Sequence, residues 1–220
     1  MIFKRTEALI FDLDGTLFQT DSILDEAYYQ TFYKLKEKGL YDDKIPSIKK
    51  MYNCVGMIGN DLWSELLPNS TKQVQHYASN LILSFQIDKL KKGLGKLYPS
   101  VIETMQNLYQ NNYRLFVASN GLENYVKSII KYSKLEELIE EVYSAGEYGT
   151  TSKVELVELI LENHNIDNAW MIGDRSSDVE AGKKNGLFVV GCNYANFKKE
   201  KELVNADIVI NEMKDVLEYL

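Results

Sequence analysis

Two aspartates, Asp12 and Asp14, directly follow a short apolar run that ends at Phe11. On an extended segment, side chains two residues apart point to the same side, so the two carboxylates lie together. Neighbouring like charges are unfavourable unless a cation lies between them or one carboxyl group keeps its proton. The pair therefore fits a divalent metal with oxygen ligands, or a reaction that needs one ionised and one protonated carboxyl group. The structural alternative is a strand followed by an Asp-Gly turn.

The elements that must position these carboxylates alternate between strands and helices. Apolar and β-branched runs predict buried strands, and apolar residues at helical spacing predict amphipathic helices between them. Such alternation predicts a doubly wound α/β fold, with a parallel sheet and crossover helices on both faces. The predicted strands cover residues 8–12, 114–119, 141–145, 169–173 and 188–192, with a short edge strand at 207–210.

One stretch of the chain, residues 21–92, breaks this alternation. It shows helical periodicity but no strand pattern, and the predicted helices cover residues 22–38, 45–53, 57–67 and 71–89. We therefore expect two domains. Residues 1–20 and 93–220 are predicted to form an α/β catalytic core, and residues 21–92 a helical cap domain inserted after the first strand.

Polar side chains also follow other predicted strands. Ser119 and Asn120 come at the end of the second strand, and Asp174 follows the fourth, with Asp178 four residues later. In open α/β sheets, ligands bind beyond the carboxyl ends of the strands, where these side chains and the first aspartate pair converge. The alternative is structural, because such residues also start turns and occupy first helical turns.

Lys153 is harder to explain by structure alone. Ser152 and Glu155 form a capping-box pattern, which places Lys153 in the first turn of a helix. A cation there opposes the helix dipole, whereas a bound anion would make the ammonium and the helix N-terminus cooperate. A solvated surface lysine is the alternative. Ser177 and Glu180 form a second capping-box pattern, which predicts another helix start.

Composition and charge exclude some classes of partner. The 220 residues are 45% hydrophobic and 26% charged, which is typical of a globular protein, and the formal net charge is −7. A nucleic-acid partner is not expected, because binding a phosphate backbone needs a basic face. No apolar run approaches membrane length, and no secretory segment is recognised, so we expect no membrane partner and a cytoplasmic location.

Four motifs in this order resemble those of the haloacid dehalogenase-like superfamily of phosphotransferases. The first is D-L-D-G-T at residues 12–16, the second Ser119-Asn120, the third Lys153, and the fourth G-D-R-S-S-D at residues 173–178. The resemblance covers most of the chain. The helical insert resembles the cap of the subgroup that includes phosphoglycolate phosphatase and β-phosphoglucomutase.

This resemblance implies a mechanism for the aspartate pair. Asp12 would be the nucleophile that forms an aspartyl-phosphate, and Asp14 the general acid and base, with a raised pKa. Mg²⁺ would be held by the Asp12 carboxylate, the Asp14 carbonyl and Asp174. Asp178 would support these ligands without binding the ion itself.

The resemblance also implies a set of groups that bind the phosphate oxygens. They are Lys153, the Ser119 hydroxyl, the Asn120 amide, and the backbone N–H groups of Leu13 and Thr16. Phosphoryl transfer depends mainly on positioning and charge neutralisation, which these groups suit.

Among the activities of such a fold, hydrolysis of a small phosphorylated metabolite is the one expected. Asp14 argues against a dehalogenase, because a leaving halide needs no proton. A sugar phosphomutase is the first alternative, although the predicted cap contains no arginine. A non-catalytic protein that binds phosphorylated ligands is the second alternative. We expect a monomer.

Overall fold

The computed structural model describes residues 6–57, 59–196 and 201–220, without the side chains of residues 59–61. In this part of the chain, a six-stranded parallel sheet has the order β3-β2-β1-β4-β5-β6. Its strands are β1 (Ala8–Phe11), β2 (Arg114–Ser119), β3 (Glu141–Ser144), β4 (Ala169–Gly173), β5 (Phe188–Cys192) and β6 (Ile208–Ile210). The predicted doubly wound parallel sheet is confirmed.

The central strand β1 ends one residue earlier than predicted, at Phe11. Phe11 pairs with Val117 of β2 on one side and with Ile172 of β4 on the other. The N–H of Asp12 still donates to the Ile172 carbonyl oxygen at 2.8 Å. Asp12 is therefore fixed at the carboxyl edge of the sheet, although it lies outside the strand.

Four helices occupy the stretch in which only helices are predicted: α1 (Asp21–Glu37), α2 (Ile48–Cys54), α3 (Gly59–Leu66) and α4 (Lys72–Lys91). Residue 58 of the third predicted helix lies outside the described residues. Buried side chains of this stretch, including Tyr28, Phe32 and Trp63, form a hydrophobic cluster of their own. The division into a core of residues 1–20 and 93–220 and a cap of residues 21–92 stays a prediction.

The helices that flank the sheet are α5 (Val101–Gln110), α6 (Glu123–Tyr132), α7 (Ala145–Tyr148), α8 (Lys153–Asn163) and α9 (Ser176–Lys184). Alternate residues of β1 face opposite sides of the sheet. Leu9 packs in a cluster that includes Met105 and Val126, whereas Ile10 packs in one that includes Leu156 and Val179. Helices α5 and α6 therefore cover one face, and α8 and α9 cover the other.

Other local predictions are wrong as well, and the edge strand β6 begins at Ile208 instead of residue 207. The third strand ends at Ser144 instead of residue 145, because the Ser144 hydroxyl accepts the Glu147 N–H and caps the single-turn helix α7.

Helix α9 has Arg175 as its N-cap instead of Ser177. The Asp178 carboxylate accepts the Arg175 N–H at 2.8 Å, so the acidic residue of that cap is Asp178, not Glu180. Helix α7 and a final 3-10 helix, Met213–Glu218, were not predicted.

Within the described residues, none of the helices combines the length and the apolar surface that crossing a bilayer requires. The longest, α4, has 20 residues and carries charged side chains at both ends. The predicted cytoplasmic location stays a prediction.

Candidate active site

Lys153 connects two aspartates at the carboxyl edge of the sheet. As predicted, the Ser152 hydroxyl caps α8, accepting the Glu155 N–H at 3.3 Å, and the helix begins at Lys153. The Lys153 ammonium donates to Asp12 Oδ1 and, at 2.6 Å, to Asp178 Oδ1. The side chains of these three residues are only 3%, 8% and 0% exposed, so the ion pairs are shielded from water. Burial of this kind makes the charges strongly interdependent.

Asp178 is held by hydrogen bonds on both of its carboxylate oxygens. Oδ1 accepts from Lys153, and Oδ2 accepts from the Arg175 N–H. A Cβ at Gly173 would lie 2.3 Å from the Asp178 carboxylate carbon. The glycine therefore lets this carboxylate lie against the end of β4, where it orients Lys153.

Asp174 differs from Asp178 because its oxygens lack such partners. Both Asp174 oxygens are buried and accept no hydrogen bond from the described residues, although the Arg175 Nε lies 3.6 Å from Oδ2. Gly15 has a φ of +91°, and a Cβ there would lie 2.4 Å from Asp174 Oδ2. A glycine is thus needed for this close approach, and the carboxylate has lone pairs to offer a cation.

This cluster fits a hard divalent cation. Asp12, Asp174 and Asp178 each offer one carboxylate oxygen, and the three oxygens lie within 4.8 Å of one another. All-oxygen donor sets of this kind suit Mg²⁺. Because both Asp178 oxygens are engaged by protein donors, Asp12 and Asp174 are the carboxylates best placed to bind the ion directly.

The second aspartate of the pair, Asp14, is also buried but has different partners. Its Oδ1 accepts hydrogen bonds from the Thr20 hydroxyl and the Tyr125 hydroxyl, both at 2.6 Å. Burial raises the pKa of Asp14, and the two hydrogen bonds reduce this increase. The net effect is the raised pKa that was predicted for a general acid.

Neighbouring groups and burial have opposite effects on the pKa of Asp12. Its net pKa is raised from 3.8 to about 7, because burial and, to a smaller extent, neighbouring Asp178 raise it more than the Lys153 ammonium lowers it. Lys153 therefore favours the ionised form of Asp12, which a nucleophile requires. An additional cation beside Asp12 would act in the same direction.

A cavity of about 110 Å³ lies between the sheet edge and the helices α1–α4. Of the predicted site residues, Asp12, Asp14, Ser119 and Asn120 line it. The Ser119 hydroxyl accepts the Gly121 N–H at 3.1 Å, and the Asn120 amide donates to the Gly56 carbonyl at 2.9 Å. Their predicted contacts with phosphate stay predictions.

Leu13 and Thr16 are placed differently from those four residues. Both are fully buried, and neither belongs to the described residues that line the cavity. The Thr16 N–H donates to the Leu13 carbonyl at 3.3 Å. The predicted binding of phosphate by the N–H groups of Leu13 and Thr16 stays a prediction.

Four contributing residues were not predicted: Thr20, Tyr125, Arg175 and Glu202. The Arg175 guanidinium lies 3.2 Å from Glu202, which also accepts the Ser176 N–H at 2.8 Å. Thr20 precedes an acidic first helical turn, which is an N-cap pattern, but its hydroxyl makes no cap hydrogen bond and donates to Asp14 instead. Tyr125 and Glu202 had no sequence pattern, because each reaches the site from a distant segment.

Comparison with known proteins agrees with this arrangement. The family model of haloacid dehalogenase-like hydrolases matches residues 9–192. The chain is 23% identical to pyrophosphatase PpaX of Listeria monocytogenes, over 97% of this chain and 95% of that protein. It is 22% identical to phosphoglycolate phosphatase of Aliivibrio fischeri, over 100% and 98%.

The fold has a close counterpart among solved structures. A crystal structure of a predicted phosphoglycolate phosphatase from Haemophilus somnus superposes with a TM-score of 0.84. The two chains are 19% identical, and the match covers 99% of each. This likeness shows a shared fold, and the family model, which spans most of the chain, confirms the expected superfamily. The chain belongs to the haloacid dehalogenase-like hydrolase family.

Proposed function

We propose that this protein is a Mg²⁺-dependent phosphatase that hydrolyses a phosphomonoester of a small metabolite through an aspartyl-phosphate. One observation carries the proposal: Lys153 and Asp12 are 141 residues apart in the chain, yet they pair within a buried acidic cluster next to Asp14. A purely structural role would not require so many buried charges at the edge of a cavity. The names of the two relatives, a pyrophosphatase and a phosphoglycolate phosphatase, support phosphoryl chemistry.

In the first step, the ionised Asp12 carboxylate attacks the phosphorus atom. The bond from phosphorus to the leaving oxygen breaks as the bond from phosphorus to Asp12 forms. Asp14 donates its proton to the leaving oxygen, which departs as an alcohol. Because Asp14 Oδ1 already accepts two hydrogen bonds, we place this proton on Oδ2.

In the second step, the ionised Asp14 takes a proton from a water molecule that attacks the phosphorus. The bond between phosphorus and Asp12 breaks, inorganic phosphate leaves, and Asp14 is protonated again. Lys153 stabilises Asp12 as a carboxylate before the attack and after its release. This cycle returns both aspartates to their starting protonation states.

Mg²⁺ would be held by the carboxylates of Asp12 and Asp174 and the carbonyl of Asp14, and it would neutralise charge on the transferring phosphoryl group. The Asp174 oxygens, which accept no hydrogen bond from the described residues, support this assignment. Asp178 accepts hydrogen bonds from Lys153 and Arg175, and it would hold the Lys153 ammonium in position beside Asp12.

Hydrolysis is proposed over the mutase and the non-catalytic alternatives. A mutase must hold a second phosphate, but no described residue that lines the cavity is a lysine, arginine or histidine. A non-catalytic protein would not need both a nucleophile and a buried general acid in contact with one cavity. The small phosphorylated metabolite expected from the sequence is therefore retained as the substrate class.

The test is phosphate release from a panel of phosphomonoesters by the purified full chain, with Mg²⁺ and with chelator. We expect Mg²⁺-dependent release that Asp12→Asn abolishes and that Asp42→Asn, a matched change at an exposed residue, leaves unchanged. Binding of phosphate esters without turnover would instead support the non-catalytic alternative.

A further inference from the structure

The wall of the cavity beside Asp12 and Asp14 is mostly hydrocarbon. Its apolar members include Leu24, Val55, Met57, Trp63, Ile82 and Leu83. They come from α1, α3 and α4 and from the segment that follows α2, so the helical stretch supplies most of the surface that a leaving group would contact. Burying carbon against such a wall is favourable in proportion to the apolar area removed from water.

The described part of the same wall carries no positive charge. Among the described residues that line the cavity, the charged ones are Asp12 and Asp14, and the remaining polar side chains are neutral. The two described cations that contact the acidic cluster already have carboxylate partners: Lys153 pairs with Asp12 and Asp178, and Arg175 with Asp174 and Glu202. A second anionic group on a substrate would therefore be desolvated here without a cationic partner.

We propose that the substrate's leaving group is compact, uncharged and rich in carbon. This inference rests on the proposed phosphatase function, since it concerns the group released from the phosphate. An unpaired carboxylate or phosphate is costly to bury, whereas an alkyl or aryl group fits the wall without a charge partner. The volume of about 110 Å³ must also hold the phosphoryl group beside Asp12, so it suits a small leaving group; a cavity of about 150 Å³ is known to bind a single benzene ring.

A pair of esters of matched shape separates charge from size. Isobutyl phosphate and 2-phosphoglycolate have similar branched leaving groups, but only the second carries a carboxylate. With the full chain and saturating Mg²⁺, we expect kcat/KM for isobutyl phosphate to exceed that for 2-phosphoglycolate by at least about tenfold. Pyrophosphate is expected to be a similarly poor substrate.

A cation placed in the wall is expected to reverse part of this preference. Met57 is 40% exposed, so Met57→Lys adds a charge at the lip of the cavity with little risk to folding. We expect it to reduce the ratio of isobutyl phosphate to 2-phosphoglycolate kcat/KM by about fivefold. Met57→Gln, which has similar length and no charge, is expected to reduce the ratio much less than Met57→Lys does.

The possible outcomes test the inference about the leaving group separately from the proposed phosphatase function. Equal or faster hydrolysis of 2-phosphoglycolate by the unmodified chain would overturn the inference and leave the phosphatase function standing. Failure of isobutyl phosphate to react while another ester of the panel is hydrolysed would also overturn it. Absence of phosphate release from every ester would overturn the proposed function itself.

Discussion

Tyr125→Phe tests whether Asp14 is the general acid. The substitution removes the hydroxyl that donates to Asp14 Oδ1 at 2.6 Å and keeps the buried ring. That hydrogen bond favours the ionised form of Asp14, so its loss raises the pKa of Asp14 further. A higher pKa keeps the acid protonated to higher pH, and the basic limb of the kcat profile should therefore move upward.

The size of this shift follows from the hydrogen bonds around Asp14. A hydrogen bond to a charged group contributes about 1.5–3 kcal/mol, and one pKa unit corresponds to about 1.4 kcal/mol. Complete loss would give a shift of roughly one to two units. Because Thr20 still donates to the same oxygen at 2.6 Å, we expect the lower end, about one pH unit.

The assay is the pH dependence of kcat with saturating Mg²⁺ and substrate. Tyr28→Phe is the matched control, because its hydroxyl is also hydrogen-bonded, to the Pro46 carbonyl at 3.0 Å, but lies in the cluster of the helical stretch. A basic limb that does not move in Tyr125→Phe, or that moves equally in Tyr28→Phe, would refute the role of Asp14 as the acid.

Three further changes probe the buried charges. Lys153→Met leaves Asp12 and Asp178 without their shared cation, so we expect a loss of about 3–5 kcal/mol in the free energy of unfolding near pH 7, measured by urea denaturation. Gly15→Ala is expected to weaken Mg²⁺ binding, measured by calorimetry, because the added Cβ would collide with Asp174. Asp174→Asn is expected to weaken it at least about tenfold with little loss of stability, since it removes a buried charge that lacks a hydrogen-bonding partner among the described residues.

Matched substitutions elsewhere serve as controls for these changes. Lys89→Met removes a buried lysine whose partner, Glu26, is exposed, so its effect on the free energy of unfolding should be much smaller. Gly39→Ala has the same type of positive φ, +66°, but its Cβ would meet nothing within 4 Å. Equal effects of each site substitution and its control would contradict a specific role for the acidic cluster.

Much of the sheet could be predicted because its strands have clear chemical boundaries. The second, fourth and fifth strands have the predicted ends, since apolar runs there stop at glycine or polar residues. Helix α7 and the final 3-10 helix span four and six residues, too few for periodicity to detect. The start of α9 was misplaced because Ser177 and Glu180 fit the capping-box rule, whereas the observed cap, Arg175 with Asp178, does not.

The site was predictable where a residue conflicts with its local structure. Lys153 opposes the dipole of its own helix, which indicates an anion near its ammonium; the structure shows two protein carboxylates there, and the predicted contact with phosphate stays a prediction. Tyr125 shows no such conflict, because a tyrosine on the buried side of an amphipathic helix is expected from packing alone. Its contact with Asp14 depends on how α6 meets the sheet edge, which one sequence does not reveal.

The covalent intermediate on Asp12 is the most direct test of the proposed mechanism. The full chain is mixed with Mg²⁺ and the best substrate of the panel, quenched in acid during turnover, and treated with borohydride, which reduces an acyl phosphate to an alcohol. Peptide mass spectrometry should then find homoserine in place of Asp12, and none in Asp12→Asn. Steady release of phosphate with no modification at residue 12, or with modification of a different carboxylate, would contradict the mechanism.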